Sequence, residues 1–208
     1  MAIISNVEKC VLFYAGTGEE QEADRVNAAA FFNHRGVELI LPRPADAGRL
    51  MGELSGLAEQ LGLALQPDDF LLPQEALTPT RQLYWLAGFD RAECTALLKE
   101  MAAEGLGGEA LKAMATDQNL HWTLAHLIYD VNLEHELIGA FMELRQTVQQ
   151  TEVLAETVGL PPQAEAAFTE RLKLAKAMIS ADRIPEETDL MRRLSQELKM
   201  LVTLGMED

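Results

Sequence analysis

Thr116-Asp117-Gln118-Asn119 is a cluster of polar hydrogen-bonding side chains behind a short apolar run, with Lys112 four residues before Thr116 and Trp122 after Asn119. Open α/β sheets place ligands beyond the carboxyl ends of their strands. There Asn119 could direct hydrogen bonds and Lys112 could meet a carboxylate. Lys112, Thr116, Asn119, Trp122 and His135 are therefore the candidate ligand-binding set. The structural alternative has Asn119 or Asp117 capping the next helix, Trp122 in the core and Lys112 snorkelling from an edge. The structural reading carries more weight.

His126, Asp130 and Glu134 fall at i, i+4 and i+8, on one face of a helix, with His121 a turn earlier. These are metal-ligand types, but two imidazoles and two carboxylates on one helix rarely close a coordination sphere. A solvated polar face is the preferred reading. His135 stands apart, in an apolar stripe between Val131 and Ile138, and reads as a buried, hydrogen-bonded histidine rather than a catalytic one.

Other chemistries find less support. Gly16-Thr17-Gly18 suggests an anion cradle at a helix start. Glu19, Glu20 and Glu22 follow at once, and three carboxylates repel a phosphate. No GxGxxG, GxxxxGK[ST] or GxSxG run is present, so no cofactor is assigned. Cys10 and Cys94 have no histidine at usable spacing and form no CxxC pair.

The elements that must hold these residues alternate. Val7 to Tyr14 and Val37 to Leu41 read as strands, each closed by Gly or Pro. A helix between them carries Ala23, Val26, Ala30 and Phe31 and stops at Gly36. Another helix is expected from an Asp46 N-cap to Gly62. Pro67 to Pro79 reads as a connection. The order then restarts: a strand at 82–87, a helix striped by Ala92, Ala96, Leu97 and Met101 that stops at Gly105, and a strand at 110–115. A long helix runs from Leu120 to Val158, too long for a compact sheet domain to cover. Two more helices follow, Gln163 to Ala181 and Pro185 to Leu204, the latter with proline in its first turn.

The expected class is α/β: two tandem βαβα units, 7–62 and 82–140, forming one sheet domain with parallel crossovers over residues 1–140. A long helix and a C-terminal helical hairpin extend it over 141–208.

Residues 82–136 resemble a bacterial family designated domain of unknown function 3783. The pieces are a strand, Gly88, a helix, Lys112-Ala113-Met114-Ala115-Thr116, Asn119, Trp122 three residues later, Leu127, and Glu134-His135 on an acidic helix. Asp117-Gln118 between Thr116 and Asn119 departs from the pattern, as does Ala115 where a branched residue is typical. The family has no established activity, so the resemblance implies a fold and a set of residues, not a reaction.

The 208 residues carry 33 acidic against 17 basic side chains, a net charge of −16, which repels nucleic acid and anionic membrane surfaces. Residues 1–141 hold 21 acidic and 9 basic side chains, net −12; the rest hold 12 and 8, net −4. Two cysteines and no apolar run of spanning length fit a cytoplasmic protein.

Two function classes remain. The favoured one is a non-catalytic interaction or regulatory module that self-associates, as a homodimer or larger, or binds a protein partner. The alternative is a small-molecule- or metal-binding protein, an enzyme included, with a site at the strand C-terminal ends around Lys112, Thr116, Asn119 and His135. Self-association is expected through Phe141, Leu144, Val148, Leu194, Leu198 and Leu201, some of which a hairpin outside the sheet would leave exposed.

Overall fold

Cys10-Val11-Leu12-Phe13-Tyr14 is apolar at every position, and such a strand must be covered on both faces. In the computed structural model, which describes residues 3–4, 7–17 and 21–204, these five residues form β1 and all are buried. Gly18, Glu19 and Glu20, the core of the expected anion-repelling turn, lie outside the described residues.

Helix α1 (Gln21–Asn33) leads to β2 (Glu38–Ile40), then short helices α2 (Met51–Leu54) and α3 (Leu57–Leu61). The second series is β3 (Leu83–Ala87), α4 (Arg91–Ala103) and β4 (Leu111–Met114). The strands form one sheet in the order β2-β1-β3-β4. Both outer pairs are parallel, as βαβ crossovers require, but the central β1–β3 pair is antiparallel. The sheet is therefore mixed, because the connection between the two series returns the chain reversed.

Strand alternation sorts the core into two layers. Cys10, Leu12, Tyr14, Leu83, Trp85 and Leu111 pack against Met51, Leu57, Leu120, Leu124 and Leu127. On the opposite face, Val11, Phe13, Tyr84 and Leu86 pack against Ala28, Phe31 and Phe32 of α1 and Cys94, Leu97 and Met101 of α4. Phe13 and Tyr84 stack with ring centroids 4.2 Å apart.

Three expected helix boundaries are corrected. The single helix from Asp46 to Gly62 is broken. Asp46 ends a 3-10 turn (Pro44–Asp46), and Gly56, at φ 70, separates α2 from α3 in a left-handed conformation that glycine adopts without strain. The long helix, α5, is Leu124–Val158, with a 3-10 turn (Asn119–His121) before it. Its first turn is satisfied by Thr123, whose Oγ1 accepts the His126 N–H at 3.1 Å, so neither Asn119 nor Asp117 caps it. The last helix, α7, is Thr188–Leu204, leaving Pro185 outside. It is Pro162 that opens α6 (Pro162–Ile179), where its missing N–H costs nothing.

The chain divides into two units, Met1–Asn132 and Leu133–Asp208. The second has its own core, built from Ala140, Leu144 and Val148 of α5, Phe168, Ala175 and Met178 of α6, and Met191, Leu194, Leu198 and Val202 of α7. This corrects the expected exposed seam: Leu144, Val148, Leu194 and Leu198 are buried, while Phe141 and Leu201 are half-buried against the same core. Ion pairs Arg171–Glu197 and Lys199–Glu143 flank it.

Candidate functional site

β4 ends at Met114, and the chain must turn there to reach α5. Thr116 and Asn119 make that turn as a reciprocal pair, the arrangement of a capping box. Asn119 Oδ1 accepts the Thr116 N–H at 3.0 Å, and Thr116 Oγ1 accepts the Asn119 N–H at 3.2 Å. The Asn119 amide also donates to the Met114 carbonyl at 2.9 Å and accepts from the Trp85 indole at 3.3 Å. Both residues are buried. The polar groups of this cluster are directed into the fold.

Lys112 lies elsewhere. Leu111 belongs to the core layer containing Trp85, whereas Met114 packs in the layer of α1 and α4. Alternation along β4 therefore turns Lys112 to the face opposite Asn119's partner Trp85. Its ammonium donates to the carbonyls of Gly107 and Gly108. Partial burial pulls its pKa below the ordinary lysine value, opposed by the Glu109 carboxylate.

Trp122 joins a different cluster. Its ring stacks on His126 at 4.4 Å, and Phe70 stacks on the other side of the imidazole, also at 4.4 Å. Tyr129 lies 6.2 Å from Phe70. Asp68 Oδ2 approaches His126 Nδ1 to 2.9 Å, but off the line of an aligned hydrogen bond. Nearby, the imidazole of His121 accepts the Gln66 N–H at 3.0 Å through Nδ1. Together these contacts hold the strap of residues 66–70 against the start of α5.

The histidine expectations reverse. His126, read as part of a solvated face, is only 7% exposed. His135, read as buried, is exposed, as are Asp130 and Glu134. Among the described residues no group of three or more His, Cys, Asp or Glu side chains is placed to hold a metal ion. Of the five candidate ligand residues, Thr116 and Asn119 are bonded to each other, Trp122 is tied to Asn119 through its backbone N–H while its ring stacks on His126, and Lys112 and His135 join neither group.

Neither cysteine is a prepared nucleophile. Burial and the neighbouring Glu38 push the Cys10 thiol up to about 11, and burial raises Cys94. Both therefore stay protonated at neutral pH. The Tyr14 hydroxyl is likewise committed, donating to the Pro79 carbonyl at 2.8 Å.

Sequence reasoning missed the strap. It also missed the neighbouring cleft, of about 230 Å³, lined by Thr78, Thr80, Arg81, Ile128 and Tyr129 among others. Phe70-Leu71 inside a turn-rich connection was the available signal: Leu71 is 91% exposed, while Phe70 is spent on the imidazole.

The architecture is that of an α/β domain with a mixed four-stranded sheet, joined through a long helix to a three-helix unit. Residues 85–138, about a quarter of the chain, match the model of the family described as Domain of unknown function (DUF3783). That segment spans β3, α4, β4, the Thr116–Asn119 turn and the start of α5, and is where this chain is similar to the family. No curated protein and no solved structure matches the chain. No helix among the described residues is long and apolar enough to cross a membrane.

Proposed function

We propose that the protein is a non-catalytic, cytoplasmic interaction module that pairs with a second copy of itself across the outer face of α5. One observation carries the reading. Ile138 and Met142, 43% and 53% exposed, flank Gly139 on that face, and no atom lies near where a Gly139 side chain would begin. An open depression of about 530 Å³ lies on the same helix face, lined by Gly139, Met142, Glu143, Arg145, Gln146 and Gln149. Glu143 at its edge is neutralised by Lys199 at 2.8 Å. In a chain of net charge −16, so nearly neutral a stripe is where two copies repel each other least. A two-fold pairing would cover the apolar residues on both copies at once. The buried hairpin residues Leu144, Val148, Leu194 and Leu198 take no part.

Static light scattering at tens of micromolar tests it. The expected particle is about twice the 23.0 kDa chain mass, returning to the single-chain mass when Ile138→Glu and Met142→Glu are combined. A wild-type particle of single-chain mass overturns the reading. The runner-up, small-molecule binding, is favoured by the cleft beside Tyr129, whose charged lining residues are Arg81, which also donates to the Glu109 carbonyl, and Glu75. A rise in thermal midpoint with a small carboxylate, lost in Tyr129→Ala, would move the assignment there.

A further inference from the structure

The sheet order β2-β1-β3-β4, parallel at both edges and antiparallel at the centre, is unchanged by a two-fold rotation through the middle of the sheet. The register obeys the same rotation. Cys10 pairs with Ala87 and Tyr14 with Leu83, so a shift of 73 positions carries one end of the ladder onto the other. The correspondence continues beyond the strands. Arg43 N–H donates to Asp46 Oδ2 at 2.9 Å, as Thr116 N–H donates to Asn119 Oδ1 at 3.0 Å, again 73 positions on. Leu50 bridges Thr123, its own equivalent. Around that bridge, Met51 N–H donates to the Trp122 carbonyl at 2.9 Å and Leu124 N–H to the Arg49 carbonyl at 3.0 Å; each bond is the image of the other.

The crossover helices agree in length and in their closing bonds, at an offset of 69 to 70 positions rather than 73, with the flanking loops absorbing the difference. α1 and α4 each have 13 residues. Their ends close with the same bonds, Val37 N–H to Phe32 and Gly36 N–H to Asn33 in one, Leu106 N–H to Met101 and Gly105 N–H to Ala102 in the other. After the central strands, Gly16 and Gly88 sit at φ 77 and 79. A side chain on Gly16 would meet the Thr80 carbonyl at 2.3 Å, and one on Gly88 the Val7 carbonyl at 2.8 Å. Each half presses its exit turn on the entry of the other.

We infer that the family-matching segment is one half of an obligate pair. Its β3 edge and the Thr123 bridge position form a surface whose fitting partner is a second copy of the same module, and residues 10–50 are that copy supplied within the chain. An interface of this kind is isologous: the patch that donates is the patch that accepts. A lone βαβ half would expose the unpaired β3 edge and the residues buried against β1, a combination that stable domains avoid.

Two full-length chains test it. Residues 10–50 and 83–123 are equal in length, so replacing the first with a copy of the second leaves 208 residues. The reverse replacement gives the second chain. At least one is expected to unfold in a single cooperative thermal transition with native-like circular dichroism. In the first chain the replacement includes Leu12→Trp, which sets a second indole opposite Trp85 in the β1–β3 ladder. An exciton couplet is expected in its circular dichroism and is expected to vanish when leucine is restored at position 12. Failure of both chains to fold cooperatively overturns the inference, as does a folded first chain without the couplet.

Discussion

The turns after β2 and β4 share the bond from a backbone N–H to the side chain three residues on and differ in what covers them. In the first, Asp46 closes the turn from a half-buried position, with Arg49 beside it at 3.3 Å, and Arg49 and Glu53 stand in solvent. In the second, Asn119 closes the turn from the interior, and the positions equivalent to Arg49 and Glu53 are Trp122 and His126, roofed by Phe70. The same hydrogen-bond geometry thus accepts a carboxylate where water reaches it and an amide where water does not. A buried carboxylate would have to face the Met114 carbonyl, to which the Asn119 amide donates. Cover, not backbone, decides the residue.

The sharpest way to break the comparison is to remove both closing side chains in turn. Asn119→Ala leaves the Thr116 N–H, the Trp85 indole and the Met114 carbonyl without their partner in a dry setting. The expected cost is about 3 kcal/mol, read as a lowered urea midpoint. Asp46→Ala leaves one N–H that water can reach, for about 0.5–1 kcal/mol. Equal costs would mean that burial does not distinguish the two turns.

The next largest effect concerns the roof. His126→Ala empties the space between Phe70 and Trp122 and removes the group facing Asp68. A loss of about 1–2 kcal/mol is expected, with faster proteolysis near Phe70-Leu71 in the native protein. Glu53→Ala, at the equivalent exposed position, is expected within about 0.5 kcal/mol of wild type, with the strap as resistant as before. Unchanged strap proteolysis in His126→Ala would show that the aromatic stack does not hold it.

How much of this the sequence made legible depends on whether the deciding force was local. All four strands were readable, because Val7–Tyr14 and its counterparts are apolar runs between turn residues. The reversal of the central pair was not, since it depends on where a long connection delivers β3. The broken α2/α3 region was hidden by apolar spacing that runs on through Gly52 and Gly56. Thr116 and Asn119 stood out as candidate ligand residues, not as a pair bonded to each other, and Trp85, which donates to Asn119, is 34 positions away, where no spacing rule reaches. The histidines were misassigned for a physical reason. α5 contributes to two cores, with Leu124, Leu127 and Ile128 in one and Ala140, Leu144 and Val148 in the other. Each core sets its own phase, so a single stripe drawn through Val131 and Ile138 places His135 inside when it lies outside both.

The smallest expected effect separates the two turns by pH. Asp46 is held below the ordinary carboxylate pKa, chiefly by the Arg43 N–H and further by Arg49, with burial opposing. A carboxylate whose folded pKa is depressed stabilises the native state above its unfolded pKa, near 3.9, and loses that contribution as pH falls through the folded value. The urea midpoint of Asp46→Ala should therefore lie below wild type at pH 7 and converge on it as the pH drops below about 4. Asn119 carries no ionisable proton, so the Asn119→Ala deficit should persist across the same range. The other acid-sensitive pairs, such as Glu93 with Lys9, are present in every chain compared and cancel in the difference. Convergence of both variants at low pH would mean that acid loosens the whole domain before it reaches the turn. Convergence of Asp46→Ala alone assigns the proton to the exposed half of the pair.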